Sequence, residues 1–282
     1  MRIVSLLPSA TEILFAIGAG DDVVGVSFEC DFPPEARSRT IVSTTALPEG
    51  LVPAEIDAFV AAAIRDGQDL YRLDAGALAG LDPDAIITQD LCAVCAIDVT
   101  VVDDALAHLG CTAEVVTLDP HTIEDVLSSI LALGRLTGHE EAAEELVHNH
   151  RLRMAAILRS VVLRPRPRVA VLEWTDPPYA PGHWIPEMVE LAGGECVLGT
   201  SGAKSVRVTW DDVRATAPDV LIVAPCGYDL AGAQTLADEV VLAGQLPGVV
   251  TYSVDANASW VRPGTRLIDG IEELARLLHA SR

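Results

Sequence analysis

Cys92-Ala93-Val94-Cys95 sets two thiols at a spacing used both for metal ligation and for dithiol redox chemistry. Alone, the pair offers zinc only two of its four ligands, and no second CxxC follows. Cys30, Cys226 and His183 are the residues that would complete a site for zinc, iron or cobalt, if the fold brings them together. His183 is included because imidazole is the commonest metal ligand. At the start of a helix, a CxxC thiol would instead have a lowered pKa and serve redox chemistry. The competing reading of each thiol is a small buried hydrophobe. No GxSxG or GxxxxGK[ST] occurs, no GxGxxG follows the first strand, and the seven histidines suggest no Ser/His/Asp set. The chain is not expected to be an enzyme.

A second group of residues is suited to binding. Ser9, Thr11, Glu29 and Gln89 follow expected strands in the first half of the chain. Glu173, Trp174, Tyr179, Trp184, Tyr228, Trp260 and Arg262 do so in the second half. Only 4% of the residues are aromatic, yet three of the four tryptophans fall in these loops. An indole presents a flat apolar face and one N–H, so three together favour a planar or bulky apolar ligand. Each tryptophan taken singly reads equally well as a cap on the core. Arg262 suits a carboxylate, phosphate or amide oxygen of a ligand, or an acid of the protein itself. Ser9 and Glu12 have the spacing of a helix capping box. His148 and His150 are expected on a solvated helix face.

The elements that must position these residues come in duplicate. Pro83-Asp84-Ala85-Ile86-Ile87 is echoed by Pro218-Asp219-Val220-Leu221-Ile222, and Arg2-Ile3-Val4 by Arg168-Val169-Ala170. Gly18–Gly25 and Val115–Thr117 are echoed by Ala192–Gly199 and Val249–Thr251, in the same order. Expected strands are 2–6, 23–27, 85–88 and 113–118, then 168–172, 196–198, 220–224 and 249–254. Helices are expected after the first strand, over 56–66, 99–109, 185–192, 210–216 and 265–278. A helical region over 120–162 should break near Gly138. The pattern is an α/β chain of two similar lobes, 1–119 and 164–282, with a linking helical region over 120–163. Ligands of open α/β lobes bind beyond the carboxyl ends of strands, so a cleft between the lobes is the expected site.

Composition narrows the partners. The net charge is −22, with 41 acidic residues against 19 basic ones, so nucleic acid and anionic membrane surfaces are not expected. No apolar run reaches transmembrane length. The opening Met1-Arg2-Ile3-Val4 has no secretory h-region and the six cysteines read as reduced thiols, so the expected compartment is the cytoplasm, or the periplasm or cell surface if the start of the chain has been trimmed.

Residues Arg2–Glu12, followed by Gly18-Ala19-Gly20-Asp21 and Val24-Gly25-Val26-Ser27, resemble the opening of cobalamin-binding proteins. These belong to the class III substrate-binding proteins of ABC importers, which include siderophore and haem binders. Leu81–Ile87, Pro218–Ile222 and the helical linker extend the resemblance over essentially the whole chain. Gln89-Asp90-Leu91-Cys92, Glu173-Trp174, Gly182-His183-Trp184 and Arg262-Pro263-Gly264 resemble a narrower cobalamin-binding-like branch without an export signal. The resemblance implies two Rossmann-like lobes bridged by a long backbone helix, with cobalamin or a related corrinoid in the cleft. It also implies an ABC permease as partner, which sits poorly with the missing signal.

Overall fold

Short apolar runs without polar alternation suit parallel strands, which are covered on both faces. The computed structural model of the chain describes residues 1–89 and 112–280. It divides into unit 1, Met1–Pro120 with Leu127–Val147, and unit 2, His121–Val126 with His148–Arg282. The helix expected over 99–109 lies outside the described residues.

Unit 1 contains strands β1 (Ile3–Ser5), β2 (Val23–Val26), β3 (Thr40–Ile41), β4 (Ser43–Thr45), β5 (Tyr71–Leu73), β6 (Ala85–Thr88) and β7 (Glu114–Thr117). Five of them form a parallel sheet in the order β3-β2-β1-β6-β7, while β4 and β5 pair antiparallel. Helices α1 (Pro8–Ala16), α2 (Pro53–Arg65) and α3 (Ala75–Ala79) belong to the same unit. Helix α1 does not use the capping box expected from Ser9 and Glu12. Leu7 is its N-cap and Pro8 its first residue, so Ser9 and Glu12 lie inside the helix and are buried.

Unit 2 repeats the plan with β8 (Arg168–Leu172), β9 (Trp174–Thr175), β10 (Pro178–Ala180), β11 (Glu195–Cys196), β12 (Val206–Arg207), β13 (Val220–Val223) and β14 (Val250–Ser253). The parallel order β11-β8-β13-β14 matches β2-β1-β6-β7 of unit 1 strand for strand. The remaining three strands make an antiparallel sheet, β12-β10-β9.

Helix α4 (Ile123–Thr137) and helix α5 (Glu140–Val161) contribute residues to both units. Gly138, at φ 72°, makes the break between them, where a side chain would be strained. Gly134 lets the two helices approach: an added Cβ there would lie 2.5 Å from the Ala143 Cβ. Unit 2 also holds α6 (Ile185–Leu191), α7 (Trp210–Ala215), α8 (Leu230–Leu242), α9 (Ala256–Ser259) and α10 (Leu267–His279). His150 is buried rather than solvated, since α5 turns that side toward Arg153 and Asp269 of unit 2.

The repeated Pro-Asp motif has one mechanical role. In unit 1 the Arg2 N–H donates to the Asp84 carboxylate at 2.7 Å, and in unit 2 the Arg168 N–H donates to Asp219 at 2.8 Å. Arg2 and Arg168 also each donate from the guanidinium to the carbonyl three residues before that aspartate, Leu81 at 2.8 Å and Thr216 at 2.7 Å. The motif therefore ties the central strand of each sheet to its neighbour at the amino end, leaving the carboxyl ends for loops.

Candidate functional site

At the strand ends of unit 1, the Thr11 hydroxyl nominated from the sequence is consumed locally. Thr11 Oγ1 lies 2.9 Å from Ser5 Oγ, 3.1 Å from the Leu7 carbonyl and 3.1 Å from Cys30 Sγ. Ser27 Oγ is 3.2 Å from the same sulfur. Cys30 is therefore a buried, hydroxyl-surrounded thiol that ties the loop after β2 to the start of α1. Ser9, Thr11 and Gln89 are buried as well. Among the described residues of this unit, the same loop carries two exposed aromatic side chains, Phe28 at 37% and Phe32 at 40%. The Phe28 ring lies 5.9 Å from that of Tyr71, whose hydroxyl donates to the Glu29 carboxylate at 3.2 Å. Sequence reasoning named Glu29 but missed Phe28, Phe32 and Tyr71. The scarcity of phenylalanine, four in the chain with two in one pentapeptide, was the available signal. Cys92 and Cys95 lie outside the described residues.

In unit 2 the three loop tryptophans separate. Trp184 and Trp260 are 4% and 0% exposed, and the Trp184 indole donates to the Trp260 carbonyl at 2.7 Å. Neither offers a face to a ligand, which corrects the expectation that all three stack on one. Their apolar area is worth more inside the protein than on its surface. Trp174 remains partly exposed, its N–H donating to the Asp176 carbonyl at 3.1 Å and its ring meeting Tyr228 edge-on at 5.6 Å. Tyr179 and Arg262 are also half-buried.

Glu173 is buried and acts within the protein. Its carboxylate accepts hydrogen bonds from the Gly182 N–H at 3.4 Å and from the Ser205 hydroxyl. The loop it holds is tight: a Cβ on Gly182 would lie 2.5 Å from the Ser205 nitrogen. The adjoining His183 has φ 50°, its N–H donating to the Ala203 carbonyl at 2.7 Å and its carbonyl accepting from the Gly202 N–H at 2.9 Å. The His183 ring lies 5.7 Å from that of His121 and 5.6 Å from Trp184. Cys226 lies just past β13, with its N–H on the Glu173 carbonyl at 3.1 Å.

Among the described residues, no group of three or more His, Cys, Asp or Glu side chains could hold a metal ion. Cys30 is enclosed by Ser5, Thr11 and Ser27, and the His183 ring lies beside that of His121, while Cys92 and Cys95 of the expected metal set lie outside the described residues. Cys30, Cys196 and Cys226 are thiols rather than disulfides. Burial, countered in part by a hydrogen bond to Leu198, pushes the Cys196 thiol up to about 11, which makes it unreactive.

A recess of about 390 Å³ in unit 2 is lined by Ile123, Glu124, Leu158, Glu187, Glu190 and Leu191, and contains none of the nominated residues. Its acids are already engaged, Glu124 by Arg151, Glu190 by Arg166, and Glu187 by Ser201 and the Ile123 N–H. The exposed aromatic residues at the strand ends are the better candidate.

Residues 3–245 match the family model described as periplasmic binding protein. A vitamin B12-binding protein of Yersinia pestis (strain Pestoides F) is 26% identical over 286 residues, covering 98% of this chain and 85% of the relative. Among solved structures, the periplasmic vitamin B12 binding protein of Vibrio cholerae is similar at a TM-score of 0.70 and 20% identity, over 98% of this chain and 96% of that one. A periplasmic heme binding protein of the same organism is similar at 0.73 and 19% identity, over 99% of each chain. These likenesses establish the fold, two Rossmann-like α/β lobes of the helical-backbone kind. The periplasmic character of the matched family overturns the cytoplasmic expectation drawn from the opening residues.

Proposed function

Because the chain belongs to the periplasmic binding protein family, we propose that it captures a cobalt corrinoid of the vitamin B12 type and delivers it to an ABC permease. The observation that carries this reading is the likeness to vitamin B12-binding proteins over 98% of the chain. The chemistry of the strand ends supports it. Phe28, Phe32 and Tyr71 in unit 1, and Trp174, Tyr179 and Tyr228 in unit 2, supply flat apolar surface with polar tips, which suits a large macrocycle edged with amides. Binding is the whole of the proposed activity, and no residue is assigned a catalytic role.

The test is a titration of the purified protein with cyanocobalamin, and separately with haemin, followed in the visible spectrum and by calorimetry. Saturable one-to-one binding of the corrinoid at about 1 µM or tighter is expected. Trp174→Ala should weaken it about tenfold to thirtyfold, as loss of a central aromatic contact does, without lowering Tm. Saturation by haemin but not by cyanocobalamin would replace the corrinoid with a haem-type ligand. Saturation by neither would sink the reading.

A further inference from the structure

The small antiparallel sheet of unit 2 sorts its residues by face. Thr175 pairs with Pro178, and Ala180 with Val206; Thr175, Pro178 and Ala180 are buried, with Ala180 in the core, while Val206 on the edge strand β12 is exposed. Tyr179 stands directly opposite both Trp174 on β9 and Arg207 on β12. Directly opposed residues of antiparallel strands project to the same side of the sheet. Trp174, Tyr179 and Arg207 therefore form one row on the face turned from the core, and all three keep solvent exposure. Two strand spacings place Arg207 about 10 Å from Trp174 along this row. Tyr228 meets Trp174 edge-on at 5.6 Å and itself packs against the core of the unit.

The row is held firmly at its charged end. The Val208 N–H donates to the Pro178 carbonyl at 2.9 Å, and Thr209 and Asp212 form a reciprocal capping box that starts α7. In a chain of net charge −22, the only lysine, Lys204, lies three residues before Arg207. The Trp174 and Tyr179 side chains thus lie in one row with an arginine. A macrocycle lying on them would place a peripheral substituent at the guanidinium.

We propose that Arg207 is an anion-recognising residue that binds the phosphodiester of the corrinoid's nucleotide arm while the ring lies against Trp174 and Tyr179. The proposal rests on the corrinoid reading above and adds a determinant of ligand choice: a complete cobalamin over the same ring without its nucleotide. Guanidinium suits the task, because its planar fork donates two parallel hydrogen bonds to phosphate oxygens and it remains charged.

The experiment compares wild-type protein, Arg207→Gln and Arg207→Lys in calorimetric titrations with cyanocobalamin and with dicyanocobinamide, which lacks the nucleotide and its phosphate. Arg207→Gln should weaken cyanocobalamin about tenfold or more and leave the cobinamide affinity unchanged, which also shows that the variant is folded. Arg207→Lys should fall between, keeping the charge but not the fork. Added salt should weaken cyanocobalamin binding by wild type more than by Arg207→Gln. Unchanged cyanocobalamin affinity in Arg207→Gln, or equal loss of both ligands, overturns the assignment while leaving the corrinoid reading intact. Wild-type protein that binds neither corrinoid overturns both.

Discussion

His150 is buried on α5 with neither ring nitrogen hydrogen-bonded. Burial, and then the Arg153 guanidinium, hold its pKa below the usual 6.5, against a smaller opposing pull from Asp269. A histidine kept neutral in the folded state favours folding fully above its unfolded pKa. That contribution is lost as pH falls from about 6.5 toward the lower folded value. Scanning calorimetry should therefore show Tm of the wild type dropping more steeply below about pH 6.5 than that of His150→Leu. Parallel pH profiles would show that this imidazole does not set acid stability. At this scale the sequence reveals residue type and leaves exposure open. His148 and His150 are two apart on one helix, yet only His150 faces inward. Trp174, Trp184 and Trp260 all follow strands, yet only Trp174 keeps a usable face.

At the scale of elements, the two Pro-Asp turns make a prediction in duplicate. Asp84→Ala and Asp219→Ala each remove one carboxylate acceptor from the first N–H of a central strand. Each should cost about 1 kcal/mol in urea unfolding, the usual net value of such a bond. A marked inequality between the two would mean that the repeats no longer do the same work. Elements built from the duplicated runs were legible, because buried parallel strands need continuous apolar stretches. Helix α8 was not foreseen. Its Ala- and Gly-containing start, Leu230-Ala231-Gly232-Ala233, carries a weak helical pattern, although a crossover between the parallel strands β13 and β14 demands a helix or its equivalent. The sheet β12-β10-β9 was also missed, since strands of two or three residues are too short to show alternation.

For the molecule as a whole, charge is the dominant unbalanced feature. Arginines are heavily used in pairing: Arg153 with Asp269 and Glu272, Arg168 with Glu195, Arg214 with Asp211. Exposed pairs of this kind contribute little each, and they leave a net −22 to repel itself. Differential scanning fluorimetry should show Tm rising as sodium chloride is added from low salt to the range where the Debye length is about 8 Å. A fall in Tm would mean that screened ion pairs outweigh screened repulsion. The same acidity disfavours nucleic acid and anionic surfaces as partners, in keeping with a family of small-molecule binding proteins.

The sequence by itself determined the class of fold, the duplication and its strand ends, because these follow from local patterns: apolar runs, Pro-Asp turns and the positions of glycine. It also nominated the loops in which the binding chemistry is proposed to lie. Which residues of those loops meet solvent was decided only by the tertiary structure. Glu173, Thr11 and Cys30 are spent on holding loops, and Trp184 and Trp260 are drawn into the interior. Phe28, Phe32 and Arg207 are left at the surface. The physical reason is that exposure and strand register are set by contacts between residues far apart in the chain. The row of Trp174, Tyr179 and Arg207 exists only because three short strands from separate stretches pair in one register.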